Sequence, residues 1–547
     1  MGSSVVVPLG GRKVKGWVTA VHDTAPKRKL KAVLSVSGDL PHFDSALLQT
    51  LRWIALHHVA PMSTVLARSG PPNIPRLRGA EHSAPPAAPK HQRSTYVVRR
   101  GTYDDTLIDI CSPVVKAGHN VLVILPTAHE VDHYGVVLAA VFGNVVHRVG
   151  SALKAKDVTL TWVTTQISGG HIVVGTRESV LWPLGSLGAI VVVEEGRRGH
   201  TSPQTPTWTV RDVALMRSRI ERFHTWFVGS VPSAHLLAAG VDIRTPEGRW
   251  WSLVEVVNRF DEPPGTGPIL DASVMAIRTV VKRGGKVFVL VNRRGYAPVF
   301  RCVTCRELRR CPHCAAGAGR NDSCPRCGSD LGGCTSCGGH RFEPVGAGIG
   351  RTIEILRRSI GGAVGSSEDS SVVTVGTERD IPLPASVDLV LVVDVDGMLL
   401  APHFKADEEA LRILGRVATC VRRGSANRIM VQTSQPTHRV VVALRSARPL
   451  ELLQTILDER AHSGFPPSGD VVAVETSRMS KQIEAALERQ GESPGVTVLG
   501  PVQVAKGYRW LIQGRDLHRF RLALRNSVGA WRESGVKVRI DVDPLDL

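Results

Sequence analysis

Residues 302–337 read CVTCRELRRCPHCAAGAGRNDSCPRCGSDLGGCTSC and hold eight of the ten cysteines of the chain. The eight form four C-x-x-C pairs: Cys302 with Cys305, Cys311 with Cys314, Cys324 with Cys327, and Cys334 with Cys337. Two residues between the thiolates let a tight turn place both sulfurs on one tetrahedral ion, and four thiolates close a structural zinc site. The stretch therefore predicts two structural zinc ions per chain, each with four cysteine ligands.

A disulfide framework is the alternative interpretation of this cluster, and it is typical of small secreted domains. The chain has 547 residues and is 43% hydrophobic, so it can bury its own cores without cross-links. Residues 1–11 lack the features of a signal peptide, and no apolar run approaches the roughly 18 residues of a membrane span. We therefore expect a cytoplasmic protein with no membrane partner, in which zinc is favoured over disulfides.

The formal net charge of +19 favours a polyanionic partner, nucleic acid before membrane. Residues 1–38 predict three short strands, and basic side chains greatly outnumber the single acid, Asp23. This module could bind a nucleic-acid strand or end, although a solvated basic surface is the alternative. The candidate DNA contacts in it are Arg12, Lys13, Lys15, Lys27, Arg28, Lys29 and Lys31.

Apolar runs alternate with amphipathic segments from residue 95 onward, which predicts parallel sheets covered by helices on both faces. The runs fall into two series, and the cysteine cluster interrupts the second. The first series predicts strands at 121–125, 160–163, 171–174, 189–193 and 225–228. The second predicts strands at 286–291, 372–375, 389–393 and 428–432.

The predicted fold class is α/β and multidomain, with a C-terminal α+β domain after the two lobes. Proline-rich residues 71–94 cannot build a core and read as a linker. The predicted division is an N-terminal β module at 1–38, a helical segment at 39–70, the linker at 71–94, lobe 1 at 95–240, lobe 2 at 241–447 with a zinc-binding insertion at 301–340, and the C-terminal domain at 448–547.

The string VNRRGYAP at 291–298, followed by the cysteine array, resembles the bacterial primosomal replication-restart helicases (primosomal protein N′, PriA) of superfamily 2. Further landmarks of this family follow in order along the chain. They are GTR at 175–177, GS at 229–230, GTE at 376–378, VDVDG at 393–397, GFPP at 464–467, LGP at 499–501 and VRIDVDP at 538–544.

This resemblance implies two RecA-like lobes and DNA contacts at Arg293 and Arg294. It also implies nested metal sites, although spacing alone permits three ways of combining the four pairs. Cys302, Cys305, Cys334 and Cys337 would then bind one zinc ion, and Cys311, Cys314, Cys324 and Cys327 the second. Two departures concern the N-terminal region: the linker replaces a winged-helix domain, and a strand that helps to bind a DNA 3′ end is missing, so the β module reads as truncated.

The nucleotide-binding motifs depart more strongly from the family pattern. A P-loop needs the pattern G-x-x-x-x-G-K-[ST], because its backbone and lysine neutralise phosphates and its hydroxyl holds magnesium. Residues 99–106 read RRGTYDDT instead, so that the lysine is absent and Asp104 and Asp105 follow Arg100 and Gly101. Two carboxylates there would repel a triphosphate.

The acidic motif and motif VI are altered as well. The family ends this strand with D-E-x-H, whereas residues 193–196 read VEEG. Val193 replaces the magnesium-binding aspartate and Gly196 the histidine, so that Glu194 alone matches and Glu195 stands at the variable position. Motif VI supplies arginine fingers in the pattern Q-x-x-G-R-x-G-R. Residues 416–423 read RVATCVRR, so Cys420 replaces the first finger and Arg423 alone matches the last. These losses argue against ATP and magnesium as cofactors.

The sequence thus favours a replication-restart protein that binds stalled or abandoned forks and helps to assemble the primosome, with no ATP-driven helicase activity. One alternative is an active ATP-dependent 3′ to 5′ DNA helicase with an atypical nucleotide site. Another is a zinc-dependent scaffold for protein interactions. Expected partners are branched or forked DNA, single-stranded DNA, other primosome proteins and single-stranded-DNA-binding protein, in the bacterial cytoplasm at the nucleoid.

Overall fold

A computed structural model describes residues 1–24, 30–77, 92–99, 101–150, 153–263, 267–291, 300–318, 321–324, 327–345, 347–369, 371–504 and 507–544. The N-terminal strands form an antiparallel sheet in the order β2-β1-β3, and two helices follow. Phe43 and the apolar face of the first helix are buried against lobe 1. The elements are β1 (Ser4–Leu9), β2 (Arg12–Trp17), β3 (Ser35–Ser37), α1 (Ser45–His57) and α2 (Met62–Leu66).

Lobe 1 is built on a parallel sheet in the order β10-β4-β9-β8-β5-β7-β6. Its central strands are apolar except for Asn120 at the start of β5, as expected where helices cover both faces of a parallel sheet. The strands are β4 (Arg93–Val98), β5 (Asn120–Ile124), β6 (Val146–Val149), β7 (Ile172–Gly175), β8 (Leu187–Val193), β9 (His224–Gly229) and β10 (Asp242–Arg244). The helices are α3 (Asp104–Lys116), α4 (Ala128–Phe142), α5 (Ala155–Ile167), α6 (Val210–Glu221) and α7 (Ala234–Ala238).

Lobe 2 has a second parallel sheet, in the order β11-β18-β17-β12-β16-β15. The insertion that carries the eight clustered cysteines, which we call the cysteine module, lies in the chain between β12 and β15. Its strands are β11 (Leu253–Asn258), β12 (Val287–Leu290), β15 (Val364–Ser366), β16 (Val373–Gly376), β17 (Leu389–Val392) and β18 (Arg428–Thr433). Its helices are α8 (Asp271–Lys282), α9 (Ile349–Ile360), α10 (Asp396–Leu399), α11 (Ala406–Thr419) and α12 (Arg439–Ser446). An antiparallel pair, β13 (Phe300–Cys302) and β14 (Phe342–Pro344), forms the base of the module.

The C-terminal part begins with α13 (Pro449–Ser463), whose buried side chains belong to the core of the lobes. An antiparallel sheet in the order β20-β21-β19-β22 follows, with its own apolar core. Its remaining elements are β19 (Asp470–Thr476), α14 (Lys481–Gly491), β20 (Val496–Val504), β21 (Gly507–Gly514), α15 (His518–Glu533) and β22 (Val538–Val542). Phe465 of the GFPP segment stacks on Phe404 of lobe 2 at a centroid distance of 4.8 Å.

The predicted fold class is confirmed: two parallel α/β lobes of the RecA-like kind carry a cysteine insertion, an N-terminal β module and a C-terminal α+β part. One predicted strand, 160–163, is wrong because these residues lie inside α5. Helical spacing lets Trp162 turn fully inward, where its indole N–H donates to the Ser69 carbonyl at 3.2 Å, while Leu160 stays exposed. Within the described residues, no helix is long and apolar enough to cross a membrane.

Candidate functional site

A cavity of about 740 Å³ lies between the lobes, where a nucleotide would bind in an ATP-driven relative. Parallel strands of both sheets end here, so the loops that follow them face one another. Lobe 1 contributes Tyr103 and Glu194, and lobe 2 contributes Glu378, Arg416 and Cys420. The residues that line this cavity in the described part of the chain include no lysine.

The P-loop counterpart is a short turn that leads directly into α3. Gly101 has a φ of +125°, which only glycine adopts readily, and Arg100 lies outside the described residues. Asp104 and Asp105 occupy the first turn of α3, where the helix dipole favours negative charge. Burial raises the pKa of Asp104 above its usual value. In P-loop proteins the N-terminus of the corresponding helix binds phosphate. In this chain the first turn of α3 carries two carboxylates instead.

Glu194 directly follows β8 and is only 3% exposed. Its carboxylate accepts hydrogen bonds from the Tyr103 hydroxyl, from the Ser230 backbone N–H at 3.0 Å and from the Ser230 hydroxyl at 3.3 Å. Its φ of +52° is a left-handed value that costs energy for a residue with a side chain. These donors occupy the carboxylate that would otherwise serve a magnesium ion or a water molecule.

Glu195 faces away from the cleft and is also buried. It accepts a hydrogen bond from the Ser233 backbone N–H at 2.9 Å and lies 3.6 Å from the Arg211 guanidinium. Burial raises its pKa even though Arg211 opposes that shift. Glu195 therefore connects β8 to α6 and α7 and does not take part in the cleft.

Gly196 stands where the family has the last histidine of D-E-x-H. A Cβ atom at this position would lie 2.7 Å from Cδ of Arg412, which reaches across from α11 of lobe 2. Arg412 in turn forms an ion pair with Glu378 at 3.4 Å. The space of the missing side chain is thus taken up by an arginine from the opposite lobe.

Motif VI lies at the end of α11 and does not present an arginine at the first finger position. Cys420 is buried and its thiol donates to the Pro382 carbonyl at 3.1 Å, while burial raises its pKa to about 12. Arg423 does not line the cavity with Glu194. It lies beside Gly101 and Trp250 in an adjacent cavity of about 460 Å³.

Direct contacts join the two lobes beside this cleft. Glu408 of α11 accepts a hydrogen bond from the Ala234 backbone N–H of lobe 1 at 3.0 Å. Gly415 packs so closely on Val231 that a Cβ atom would lie 2.4 Å from its side chain. One apolar core runs through both lobes and includes α1 and α13. The lobes therefore contact each other directly, through a buried polar contact and a shared apolar core.

His200 fixes the end of β8 and makes the protein sensitive to acid. Its imidazole Nε2–H donates to the Val193 carbonyl at 2.7 Å, and burial lowers its pKa to about 4. The unfolded chain then binds more protons than the folded one between pH 6.5 and 4, so stability falls as the pH drops through this window. Urea unfolding should show a loss of up to about 3 kcal/mol from this group. A His200→Gln variant, which has no imidazole to protonate, should have a shallower pH slope; an unchanged slope would contradict this assignment.

The eight cysteines of the insertion come together in two groups. The outer pairs, Cys302/Cys305 and Cys334/Cys337, form one group, and the inner pairs, Cys311/Cys314 and Cys324/Cys327, form the other. This is the nested arrangement that the family resemblance implies. Within each group all four Sγ atoms lie within 4.8 Å of one another, with closest approaches of 3.5 to 3.6 Å.

These distances fit a tetrahedral metal ion with four thiolates. At a metal–sulfur bond of about 2.3 Å, two sulfurs of a tetrahedron lie about 3.8 Å apart. A disulfide would need about 2.05 Å, and all ten cysteines are free. The described residues thus hold two all-cysteine clusters that could bind metal ions.

Arginines attach this cysteine module to lobe 2 and hold its two halves together. Arg306 donates to the Arg259 carbonyl, and Arg310 donates to the Gln435 side chain. Arg309 is 7% exposed and donates to the carbonyls of Asn321 and Gly332, both at 3.3 Å. The module therefore has a fixed position on lobe 2.

The predicted DNA contacts can be placed only in part. Arg12, Lys13 and Lys15 lie exposed on β2, and Lys31 lies exposed before β3. Lys27, Arg28, Lys29, Arg293 and Arg294 lie outside the described residues.

Sequence reasoning missed Tyr103, Arg412 and Arg416 in the cleft. Arg416 stands at the position of the motif VI glutamine. This replacement of a neutral residue by an arginine is the one sequence signal that could have indicated a changed charge in the cleft.

Comparison with known proteins gives two matches to family models, at opposite ends of the chain. The 3'DNA-binding domain (3'BD) of PriA matches residues 1–71, and the primosomal protein N C-terminal domain matches residues 461–545. The first match extends through α1 and α2, well beyond the truncated module predicted at 1–38. It includes Trp17 and the exposed basic side chains of β2.

Relatives that align with most or all of this chain are named replication restart protein PriA. The probable replication restart protein PriA of Mycobacterium leprae is 26% identical over 81% of this chain and 76% of its own length. Replication restart protein PriA of Treponema pallidum is 23% identical over 100% of this chain and 95% of its own.

A solved structure of RecG bound to a three-way DNA junction has a TM-score of 0.39 at 10% identity, over 76% of this chain and 46% of that one. A score this low does not separate a shared fold from a similar arrangement of sheets and helices. The two domain models and the relatives that align with most or all of the chain show that this chain is similar to replication restart protein PriA along most of its length.

Proposed function

We propose that this chain is a replication-restart protein that binds forked DNA and promotes primosome assembly without ATP-driven unwinding. The observation that carries the proposal is the buried Glu194 carboxylate, whose hydrogen bonds come from Tyr103 and Ser230. An ATP-driven relative needs an acidic group here that is free for magnesium and water. A chain that matches the 3'DNA-binding domain and the C-terminal domain of PriA while its own side chains fill this site is suited to binding and assembly.

Three further features of the cleft oppose nucleotide hydrolysis. No described residue of the cavity supplies a lysine for the β- and γ-phosphates. The first turn of α3, which in a P-loop would offer its N–H groups to those phosphates, carries the carboxylates of Asp104 and Asp105. The first arginine finger is replaced by the thiol of Cys420, which stays protonated and neutral. Each loss removes a group that stabilises the transition state of phosphoryl transfer, and such groups are worth orders of magnitude in rate.

DNA binding is supported by the match of residues 1–71 to the 3'DNA-binding domain and by the net charge of +19. Arg12, Lys13 and Lys15 on β2 are exposed and can contact phosphates, so affinity should fall steeply with salt. The partners are branched DNA and single strands, together with primosome proteins and single-stranded-DNA-binding protein. The cysteine clusters hold zinc, two ions per chain, and the module offers those protein partners a rigid surface.

Nucleotide assays with purified protein test the proposal. We expect no ATP hydrolysis above background, with or without forked DNA, because the cleft lacks its lysine, its magnesium ligand and its first arginine finger. A PriA relative with a complete P-loop serves as the positive control. Hydrolysis stimulated by DNA would instead identify an active helicase with an atypical site.

Fork recognition needs a separate measurement. A labelled fork and a linear duplex of the same length are compared by fluorescence anisotropy at physiological salt. Tighter binding to the fork supports the proposal. Equal affinity for both molecules would contradict the fork-specific part of it.

A further inference from the structure

A groove on the flank of lobe 1 has no role in the cleft described above. Helices α3 and α4 pack over the central strands of the sheet and leave the outer strands β4, β9 and β10 partly uncovered on that face. A cavity of about 510 Å³ opens between α3 and these strands. We name it the Trp226 groove; its polar and aromatic lining residues are Arg99, Thr106, Asp109, His224, Trp226 and Arg244.

The floor of the Trp226 groove is a preformed stack of flat side chains. The His224 ring lies parallel to the Trp226 indole, with centroids 4.0 Å apart and an interplanar angle of 13°. The Arg244 guanidinium lies 5.5 Å from the centre of the indole. Trp226 stays partly exposed in the middle of a strand, where the other residues of the same sheet are mostly buried. Aromatic rings and guanidinium groups of this kind are the side chains on which nucleobases stack.

The polar groups of the Trp226 groove suit a nucleotide better than an apolar side chain. Thr106 is 6% exposed, and its hydroxyl has no hydrogen-bond partner among the described residues. It can donate to or accept from the edge of a base. Arg99 has no carboxylate within ion-pair distance in the described part of the chain, and Arg244 has only Asp242, at 3.4 Å. Two arginines beside a stacking surface match a phosphate joined to a base.

We infer that the Trp226 groove binds one unpaired nucleotide of a DNA strand. Its base extends the stack of His224 and Trp226, and its phosphates contact Arg99 and Arg244. The inference rests on the proposed DNA-binding function and adds a single-strand contact on lobe 1, outside the cleft between the lobes. A strand that leaves a fork could thus be held by a site that needs no ATP.

Photo-cross-linking with the full chain tests the inference. A fork with a single-stranded arm that carries iododeoxyuridine is bound to the protein and illuminated, and the cross-linked peptide is identified by mass spectrometry. We expect the peptide that contains His224 and Trp226. Trp226→Leu should weaken binding of this fork about tenfold, since stacking of one base contributes about 1–3 kcal/mol. A fork without a single-stranded arm should bind both proteins equally.

Arg244→Gln and Arg219→Gln form a matched pair. Arg244 is exposed on the edge strand and can be changed without loss of core packing, whereas Arg219 is exposed on α6 at the other face of the same sheet. Only Arg244→Gln should lower affinity for the single-stranded arm. Equal affinities, or cross-links that avoid residues 224–226, would overturn the inference. Cross-linking there of free iododeoxyuridine monophosphate but not of the strand would also overturn it. Parent protein that binds no DNA at all would refute the proposed function itself.

Discussion

Replacement of Cys334 by serine is expected to release one of two zinc ions and to unfold the outer half of the cysteine module. The outer group has four thiolates, and the loss of one opens the closed shell of a structural site. Apparent binding energies of structural zinc are about 10–16 kcal/mol, and this energy is also folding energy. Zinc content measured by atomic spectroscopy should fall from about two to about one ion per chain.

Ser336→Ala is the matched control, because Ser336 lies exposed between the ligands Cys334 and Cys337. It should retain both ions. A Cys334→Ser protein that keeps two ions with unchanged thermal stability would refute the outer cluster as a metal site. Cys324→Ser should remove the inner ion instead, so the two variants together test whether the groups are independent.

The two sheets were predictable from sequence because parallel strands buried on both faces are apolar along their whole length. β8 and β17 are such strands, and β5 departs from the pattern only at its first residue, Asn120. The C-x-x-C spacing predicts paired thiolates, but which pairs share an ion depends on how the module folds back on itself. That choice came from the family resemblance, and the structure groups the same pairs.

The contents of the cleft were not predictable in the same way. Tyr103 and Glu194 are 91 positions apart, and no local pattern brings them together. α11 shows the problem most clearly, because all 14 of its residues except Asp407 are buried, including Glu408, Glu409 and Arg412. Charged side chains at such spacing usually mark a solvated face. Here Glu408 and Glu409 are buried with partners from lobe 1, the Ala234 backbone N–H and the Arg198 guanidinium. Arg412 pairs instead with Glu378 of its own lobe.

Replacement of Glu408 by alanine should destabilise the junction of the lobes more than any exposed substitution. Its carboxylate lies 2.6 Å from the Arg460 guanidinium of α13 and accepts from the Ala234 backbone N–H of lobe 1. Burial opposes its ionisation, but the positive charge of Arg460 holds its pKa at about 2. Arg460 is only 4% exposed, so the loss of Glu408 leaves a buried guanidinium without its ion-pair partner. Breaking a buried pair in this way costs about 3–5 kcal/mol.

Urea denaturation measures this loss, and hydrogen exchange locates it. Glu451→Ala is the control, because Glu451 pairs with Arg448 on the surface of the neighbouring helix, where such pairs contribute about 0–1 kcal/mol. Exchange should speed up in α7 and α11 of the Glu408→Ala protein and stay unchanged in β19 to β22. Because Glu408 connects α7, α11 and α13 at the junction of the lobes, a neutral effect would mean that the lobes are held by apolar packing alone. A large effect confined to α7, α11 and α13 would show that buried charges, in addition to apolar packing, hold the two lobes together.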